Sequence, residues 1–375
     1  MLDFVIEGHV PGWIWALYFV LILSVFIIGY KYISRPGFNF QDHNKKALIF
    51  VAFFTIFALF YCLNSDYFAY REFAYGDYKF FFINSDIKDI EAYYYVAILC
   101  NGNYELFRII IWGGSFLIFY ITCRVFKTPP YLAILLYFLL YNDHACYGRV
   151  TLAMSVFYLG LALLIKKKWF ILGILIILSS VFFHHSMAVA VVLVPIIITP
   201  KNKKIQLVLY LTLFVVMYYV INRFMGEADS LMDDESLGYY GRKMVSSQNK
   251  IDDGTYSRYG SIFGVLNDLF EYLVFYIPIF GLFTIISKSK KTNMIYADMT
   301  KLYIIIVSIT LLSTTFLIIY QSFNVLFYRT LYMTMIPISI LMATLLSNKL
   351  IKKDFVYLTL AMAIIHYLGL YLSHI

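Results

Sequence analysis

Residues 141–186 read YNDHACYGRVTLAMSVFYLGLALLIKKKWFILGILIILSSVFFHHS, two long apolar runs joined by the lysine triplet 166–168. Short loops rich in lysine normally stay on the cytoplasmic side of a membrane, because Lys and Arg resist translocation. The triplet therefore predicts a cytoplasmic loop. Arg149 and the pair His184 and His185 are then predicted on the opposite, outer face.

The second apolar run is too long for one membrane span. Residues 169–199 are dominated by apolar side chains over 31 positions, which as one helix would measure about 46 Å against a hydrocarbon core of about 30 Å. A hairpin with its turn at 184–186 fits better, and arms of about 15 residues would leave that turn below the outer surface. Residues 131–165 predict a second hairpin of this kind, with Arg149 near its polar apex.

Composition places the whole chain in the class of polytopic membrane proteins. Of its 375 residues, 62% are hydrophobic and only 14% are charged, more apolar surface than a soluble core buries. We expect one all-α transmembrane domain over 1–375, with about twelve helices, both termini outside and no nucleic-acid partner. The predicted spans are 13–33, 47–63, 104–125, 131–146, 150–165, 169–183, 186–199, 205–224, 261–286, 302–320, 329–346 and 355–373. The first is read as a span and not as a cleaved signal.

The two basic residue types divide unequally between the faces. Of 21 Lys, 17 fall in predicted inside loops, whereas of nine Arg only Arg35 and Arg124 do. Topology requires positive charge inside but does not favour either type, so the outer arginines indicate another cause. The arginine fork binds phosphate and carboxylate in a bidentate manner, which suggests an outer site for an anionic, lipid-linked substrate. The alternative is that Arg108 pairs with Glu105 and that other outer arginines are solvated or pair with loop acids.

Two long outer loops could cover such a site. Residues 64–103 are dense in Tyr and Phe, a composition that suits sugar rings but is also typical of membrane interfaces. Within this loop, 89–99 predicts a short interfacial helix. Residues 225–260 mix acidic and basic side chains, which is more typical of a mobile lid than of a metal site. We expect no metal and no cofactor, and the four cysteines are interpreted as packing residues.

Four short motifs follow one another along the chain. They are Asp66-Tyr67 with Tyr70 and Arg71, then Tyr147-Gly148-Arg149 with Leu152 and Ala153, then Phe183-His184 with Ser186 and Ala188, and finally NVLFYRTLY with Arg329. Their residue types and order resemble the EpsG-like, Wzy-type bacterial polysaccharide polymerases over roughly 60–335. Met187 stands where that family often has Ala. The doubled histidine leaves open which of the two takes the family role, and we favour His184.

The resemblance implies a glycosyltransferase with a GT-C-like helical bundle. It would join oligosaccharide repeat units carried on undecaprenyl diphosphate, on the outer face of the bacterial plasma (inner) membrane, in O-antigen or exopolysaccharide biosynthesis. Donor and acceptor would both be lipid-linked glycans, and a chain-length regulator protein is a further expected partner. The inside loops carry no DxD motif and no Gly-rich phosphate loop, which argues against a nucleotide-sugar donor.

Each candidate residue has a predicted role in this chemistry. A leaving diphosphate gains negative charge, which arginine forks would stabilise, so Arg149 and Arg329 are assigned to it. A base of near-neutral pKa would take the acceptor proton, and His184 is the first candidate, although it could instead cap the turn structurally. The other candidates are Glu91 and Asp66 as alternative bases, Arg71 and Arg258 as secondary cations, and Tyr67, Tyr70, Tyr147, His185 and Ser186 as substrate contacts.

Three other functions remain open at this point. A glycan ligase of the O-antigen-ligase type would use the same Arg and His chemistry on a different acceptor. A polysaccharide flippase or transporter would place charges along a central pathway near the midplane, often with internal repeats. An outer-face acyltransferase would also use His beside Ser but needs an acyl-donor site.

Overall fold

The structure is a computed structural model. It describes residues 47–60, 92–145 except 102, 148–198 except 168 and 185, 269–282 except 271, 294–319 and 330–373 except 349, with isolated positions in 13–28 and 208–215. Every regular segment in these ranges is helical, and none is a strand. The prediction of an all-α protein is therefore confirmed for the described residues.

The helices are numbered here in chain order. They are α1 Ala47–Phe60, α2 Ala92–Leu99, α3 Tyr104–Phe126, α4 Pro130–Ala145, α5 Gly148–Ile165, α6 Phe170–Phe183, α7 Met187–Ile198, α8 Tyr272–Leu282, α9 Met294–Ile319, α10 Met335–Ser347 and α11 Lys353–Ser373. A π-helical turn, Ile109–Gly113, interrupts α3. A separate helical turn at 330–332 precedes α10.

Each predicted hairpin region consists of two consecutive helices. α4 and α5 form the first, and the backbone of α4 kinks near its end, at Tyr141, where φ is −134°. α6 and α7 form the second, joined by the turn 184–186. With 14 and 12 residues, these two helices measure about 21 and 18 Å, well short of a hydrocarbon core of about 30 Å. The position of the turn below the outer surface stays a prediction.

Several helices are apolar enough for a membrane. By length and composition, Tyr104–Phe126 and Thr330–Ser347 are long and apolar enough to cross one, and shorter apolar helices accompany them. α6 exposes a row of large apolar side chains, as lipid contact requires: Phe170, Ile171, Leu172, Leu175, Leu178 and Phe182. The number of about twelve spans and the GT-C-like arrangement stay predictions.

The core is built around α4, α5 and α10. Residues 131–141 of α4 are all buried, and so are residues 335–346 of α10. Aromatic rings join α1 to this core, because Phe54 stacks on Phe138 at 4.1 Å between ring centroids and Phe57 meets the same ring edge-on at 4.9 Å. The first turn of α5 is therefore part of a helix that belongs to this closely packed core.

The described parts of the predicted inside loops lie at one end of the bundle, which we name the lysine end. There Nζ of Lys166, just after α5, lies 2.5 Å from a carboxylate oxygen of Asp298 in α9. At the same end the hydroxyls of Thr128 and Thr344 lie 2.7 Å apart, which joins the start of α4 to the end of α10. The opposite end, with the turn 184–186 and the first turn of α5, is named the apex end.

One predicted span is part of a longer helix. The span expected at 302–320 belongs to a helix that begins at Met294 and includes Lys301, which was assigned to a loop. The physical reason is tertiary, since Asp298 in the added turns pairs with Lys166. Of the two outer loops, 64–103 is described only from Ala92 onward, where α2 falls within the predicted 89–99 helix. The 225–260 loop lies outside the described residues.

Candidate active site

The first turn of α5 carries Arg149 and packs against α3. Gly148 begins this helix and is buried. A Cβ built on it would stand 2.6 Å from the tip of the Trp112 ring and 3.0 Å from the Ile111 side chain. The contact with Trp112 is closer than real Cβ contacts, so only glycine allows this approach. The backbone of Arg149 follows as the second residue of α5, while its side chain lies outside the described atoms.

Arg149 and His184 lie at a similar level of the bundle. α5 and α6 run antiparallel and approach closely at Gly160 and Gly173, where a Cβ on the first would stand 2.7 Å from the carbonyl oxygen of the second. Arg149 and His184 each stand eleven residues from the glycine of their own hairpin arm, toward the apex end. At about 1.5 Å per residue this is about 16 Å on both sides. The backbone positions agree with the expectation of a cation and an imidazole at similar depth.

His184 is held at the end of α6 by the turn that follows it. Its backbone is extended, and its N–H donates to the carbonyl of Ser180. The hydroxyl oxygen of Ser186 lies 2.5 Å from Nδ1 of His184, and the Ser186 backbone N–H donates to the same nitrogen at 3.3 Å. If Nδ1 accepts, the proton of a neutral ring is on Nε2; if Nδ1–H donates to the hydroxyl, Nε2 carries the lone pair. The much shorter hydroxyl contact can be kept in both tautomers.

A second arginine, Arg108, is buried one turn outward from Trp112. It is 4% exposed, and Cζ of its guanidinium lies 5.4 Å from the ring centroids of both Tyr104 and Trp112. These are cation–π distances. The π-helical turn of α3 begins at the next residue, Ile109. Arg108 therefore contacts the same indole ring that Gly148 packs against.

Arg329 lies outside the described residues, but the segment that follows it is placed beside α5. The hydroxyl of Tyr158 in α5 donates to the carbonyl of Met333 at 2.5 Å. The ring of Tyr332 stacks on Phe275 of α8, with centroids 5.9 Å apart, and Phe275 in turn stacks on the tyrosine at the α4 kink at 5.1 Å. The chain therefore enters the bundle after Arg329 close to both arms of the first hairpin.

Most of the predicted site lies outside the part of the chain that the structure describes. His184 and Ser186 are described in full, and Arg149 by its backbone. Those outside are Asp66, Tyr67, Tyr70, Arg71, Glu91, Tyr147, His185, Arg258 and Arg329. Within the described ranges, no group of three or more His, Cys, Asp or Glu side chains is placed to hold a metal ion. The expectation of no metal and no cofactor stays a prediction.

The sequence analysis missed the contact of Trp112 with Gly148, and it left Arg108 either as one of the outer arginines of an anionic site or as a partner of Glu105. A signal was present in the spacing: Tyr104, Arg108 and Trp112 recur every four residues, so they share one face of a helix. An arginine between two aromatic residues at this spacing indicates a guanidinium held over rings. The contact with Gly148 joins residues 36 positions apart, and no local pattern signals it.

The comparison with protein families agrees with this geometry. The family model described as EpsG family matches residues 46–375, which is most of the chain. The chain belongs to the EpsG family. This family comprises Wzy-like proteins of the polysaccharide polymerase type, and together with the apolar helices it indicates that this EpsG-family chain is a membrane protein. Comparison with curated proteins and with solved structures returned no match.

Proposed function

We propose that this EpsG-family protein is a polysaccharide polymerase that joins undecaprenyl-diphosphate-linked repeat units. The observation that carries the proposal is the pairing at the apex end, where the backbone of Arg149 and the imidazole of His184 stand at a similar level on antiparallel neighbouring helices. One residue type suits a leaving diphosphate and the other suits an attacking hydroxyl.

The reaction makes one bond and breaks one bond at the anomeric carbon of the donor sugar. The acceptor hydroxyl oxygen attacks this carbon, and its proton passes to His184. The bond from the carbon to the diphosphate oxygen breaks, and the electron pair leaves with the diphosphate. The guanidinium of Arg149 binds the growing negative charge. Arg329 is the second cation assigned to it, since the segment after Arg329 packs on α5 through the Tyr158–Met333 hydrogen bond.

Ser186 prepares His184 for its role as base. Donation from Nδ1–H to the Ser186 hydroxyl leaves a lone pair on Nε2 of the ring, which then accepts the proton of the acceptor hydroxyl. This role requires the tautomer in which Nδ1–H donates to the Ser186 hydroxyl, 2.5 Å away, and gives up the longer contact of 3.3 Å between Nδ1 and the Ser186 backbone N–H.

The orientation in the membrane belongs to the same proposal. The lysine end carries Lys166 and Lys167, and the apex end carries Arg108 and the turn at His184. Positive loops stay in the cytoplasm, so the apex end faces the outside of a bacterial plasma membrane. A long isoprenoid lipid would then approach along the exposed apolar side chains of helices such as α6.

Reconstituted protein tests the function directly. Lipid-linked repeat units, isolated from a strain that lacks this gene, are incubated with the protein in liposomes, and the glycan is run on a gel. We expect a ladder of products with release of undecaprenyl diphosphate. Transfer of preformed glycan to a different lipid acceptor would instead make the protein a ligase, and movement of units without bond formation would make it a transporter.

One substitution tests the role of Arg149 in that assay. Arg149→Lys keeps the charge but loses the bidentate fork, so the rate of ladder formation should fall about 100-fold. Arg124→Lys is the matched control, because Arg124 is an exposed arginine of α3 near the lysine end, and it should keep the wild-type rate. Full activity of the Arg149→Lys protein would reject diphosphate recognition by this fork.

A further inference from the structure

The contact that sets the position of Arg149 lies in α3. Gly148 precedes Arg149 directly, and the ring of Trp112 fills the space where a Cβ of residue 148 would stand. The first turn of α5 is therefore seated on the Trp112 ring. The ring and the backbone that carries the Arg149 side chain are therefore in direct contact.

The Trp112 ring is in turn in contact with Arg108. The ring is 4% exposed, and among the described residues no acceptor receives its indole N–H. The guanidinium of Arg108 lies 5.4 Å from its centroid and at the same distance from Tyr104 on the other side. Three side chains thus form one stack, Tyr104–Arg108–Trp112, which ends on Gly148.

The backbone under this stack has an uncommon geometry. Residues Ile109–Gly113 form a single π-helical turn inside α3, and π turns of this kind are rare and frequent at functional sites. The turn is braced on its other side by α1, where a Cβ on Gly113 would be in contact with Thr55 at 3.4 Å. Because Trp112 lies within the π turn, its direction differs from that of a regular helix.

We propose that Arg108 and Trp112 are positioning residues that hold the first turn of α5, and through it the guanidinium of Arg149, against the diphosphate of the lipid-linked substrate. This inference rests on the proposed function and adds to it two residues that the sequence motifs do not contain. Arg108 and Trp112 act through Arg149 and are not themselves assigned a contact with the substrate.

Binding of undecaprenyl diphosphate, the leaving group, to the purified protein tests the proposal without requiring turnover. Gly148→Ala forces residue 148 against Trp112 and should weaken binding at least about 10-fold, as should Arg149→Lys. The double variant should bind no more weakly than Arg149→Lys alone, because residues that act as one unit are not additive. Effects that multiply would show that Gly148 serves only the fold and would overturn the proposal.

Two other glycine variants separate positioning from stability. Gly160→Ala creates a comparable clash at a distance from the site, with the Gly173 backbone oxygen at 2.7 Å, and should lower the yield of folded protein while the folded fraction binds normally. Gly114 lies two residues beyond Trp112, and a Cβ there would meet nothing within 4 Å. Gly114→Ala should therefore change neither the yield of folded protein nor the binding. If Gly160→Ala weakens binding as strongly as Gly148→Ala, the positioning role is rejected.

Compensating variants keep the test decisive if Gly148→Ala folds poorly. Trp112→Phe replaces the indole with a smaller ring, so the combination with Gly148→Ala should bind more tightly than Gly148→Ala alone. Arg108→Lys keeps a cation over the rings and should bind better than Arg108→Gln. Absence of both rescues would overturn the inference. If instead Arg149→Lys binds as tightly as the wild type, the proposed function fails at this residue, whatever Gly148→Ala does.

Discussion

The two ends of α5 show two different uses of polar residues in an apolar bundle. At the lysine end, Lys166 pairs with Asp298 and Thr128 meets Thr344, so polar groups are matched with each other and fasten helices together. At the apex end, a guanidinium is held over aromatic rings, and an imidazole is held by a serine in a tight turn. The first arrangement serves the fold, whereas in the proposed function the second directs reactive groups. We therefore expect substitutions at the two ends to act on different measurements.

The largest difference should come from His184. We expect His184→Ala to lower the rate of polymer formation about 100-fold or more, the usual contribution of a general base, with an unchanged melting temperature. The measurement is the initial rate of ladder formation per folded protein. His185→Ala is the matched control and should keep most of the activity. A large loss of activity in His185→Ala, with most activity kept in His184→Ala, would show that His185 is the base.

A smaller effect should come from Ser186. Without its hydroxyl, Nδ1 of His184 keeps the contact with the backbone N–H of residue 186, which favours the tautomer with the proton on Nε2. That tautomer has no lone pair on Nε2, so Ser186→Ala should lower the rate roughly 10-fold. Ser186→Thr, which keeps a hydroxyl, should recover much of it. Equal rates for the wild type and both variants would remove Ser186 from the mechanism.

The smallest effect should come from the lysine end. The Lys166–Asp298 pair is partly buried, with side chains 17% and 13% exposed, and a pair of this kind contributes about 1 kcal/mol. Lys166→Met should therefore lower the melting temperature by about 1–3 °C without changing the rate per folded protein. Lys167→Met, at the exposed neighbouring residue, should change neither quantity. A large loss of rate in Lys166→Met would contradict the claim that the lysine end serves only the fold.

Much of this architecture could be predicted from the sequence, because charge and length are strong constraints in a membrane. The lysine triplet and the excess length of 169–199 predicted both hairpins, and the turn at His184 lies where the polar residues interrupt the apolar run. Arg149 and His184 lie at a similar level because each is next to the polar turn of its own helix pair. These are properties of single segments and of their order.

The features that the sequence did not reveal depend on contacts between distant segments. The start of α9 at Met294 is supported by an ion pair across 132 positions. The π turn in α3 adds a residue to one helical turn, and hydrophobic periodicity does not register so small a change. The role of Gly148 becomes visible only when Trp112 is placed beside it.

Cysteine labelling on intact cells tests most directly the claim that the apex end faces outward and the lysine end inward. His184→Cys and Lys167→Cys are made separately in a chain whose native cysteines are replaced by alanine, and each is treated with a maleimide that does not cross membranes. The account predicts labelling at position 184 and none at position 167 until the cells are opened. Labelling at 167 in intact cells, with none at 184, would contradict it.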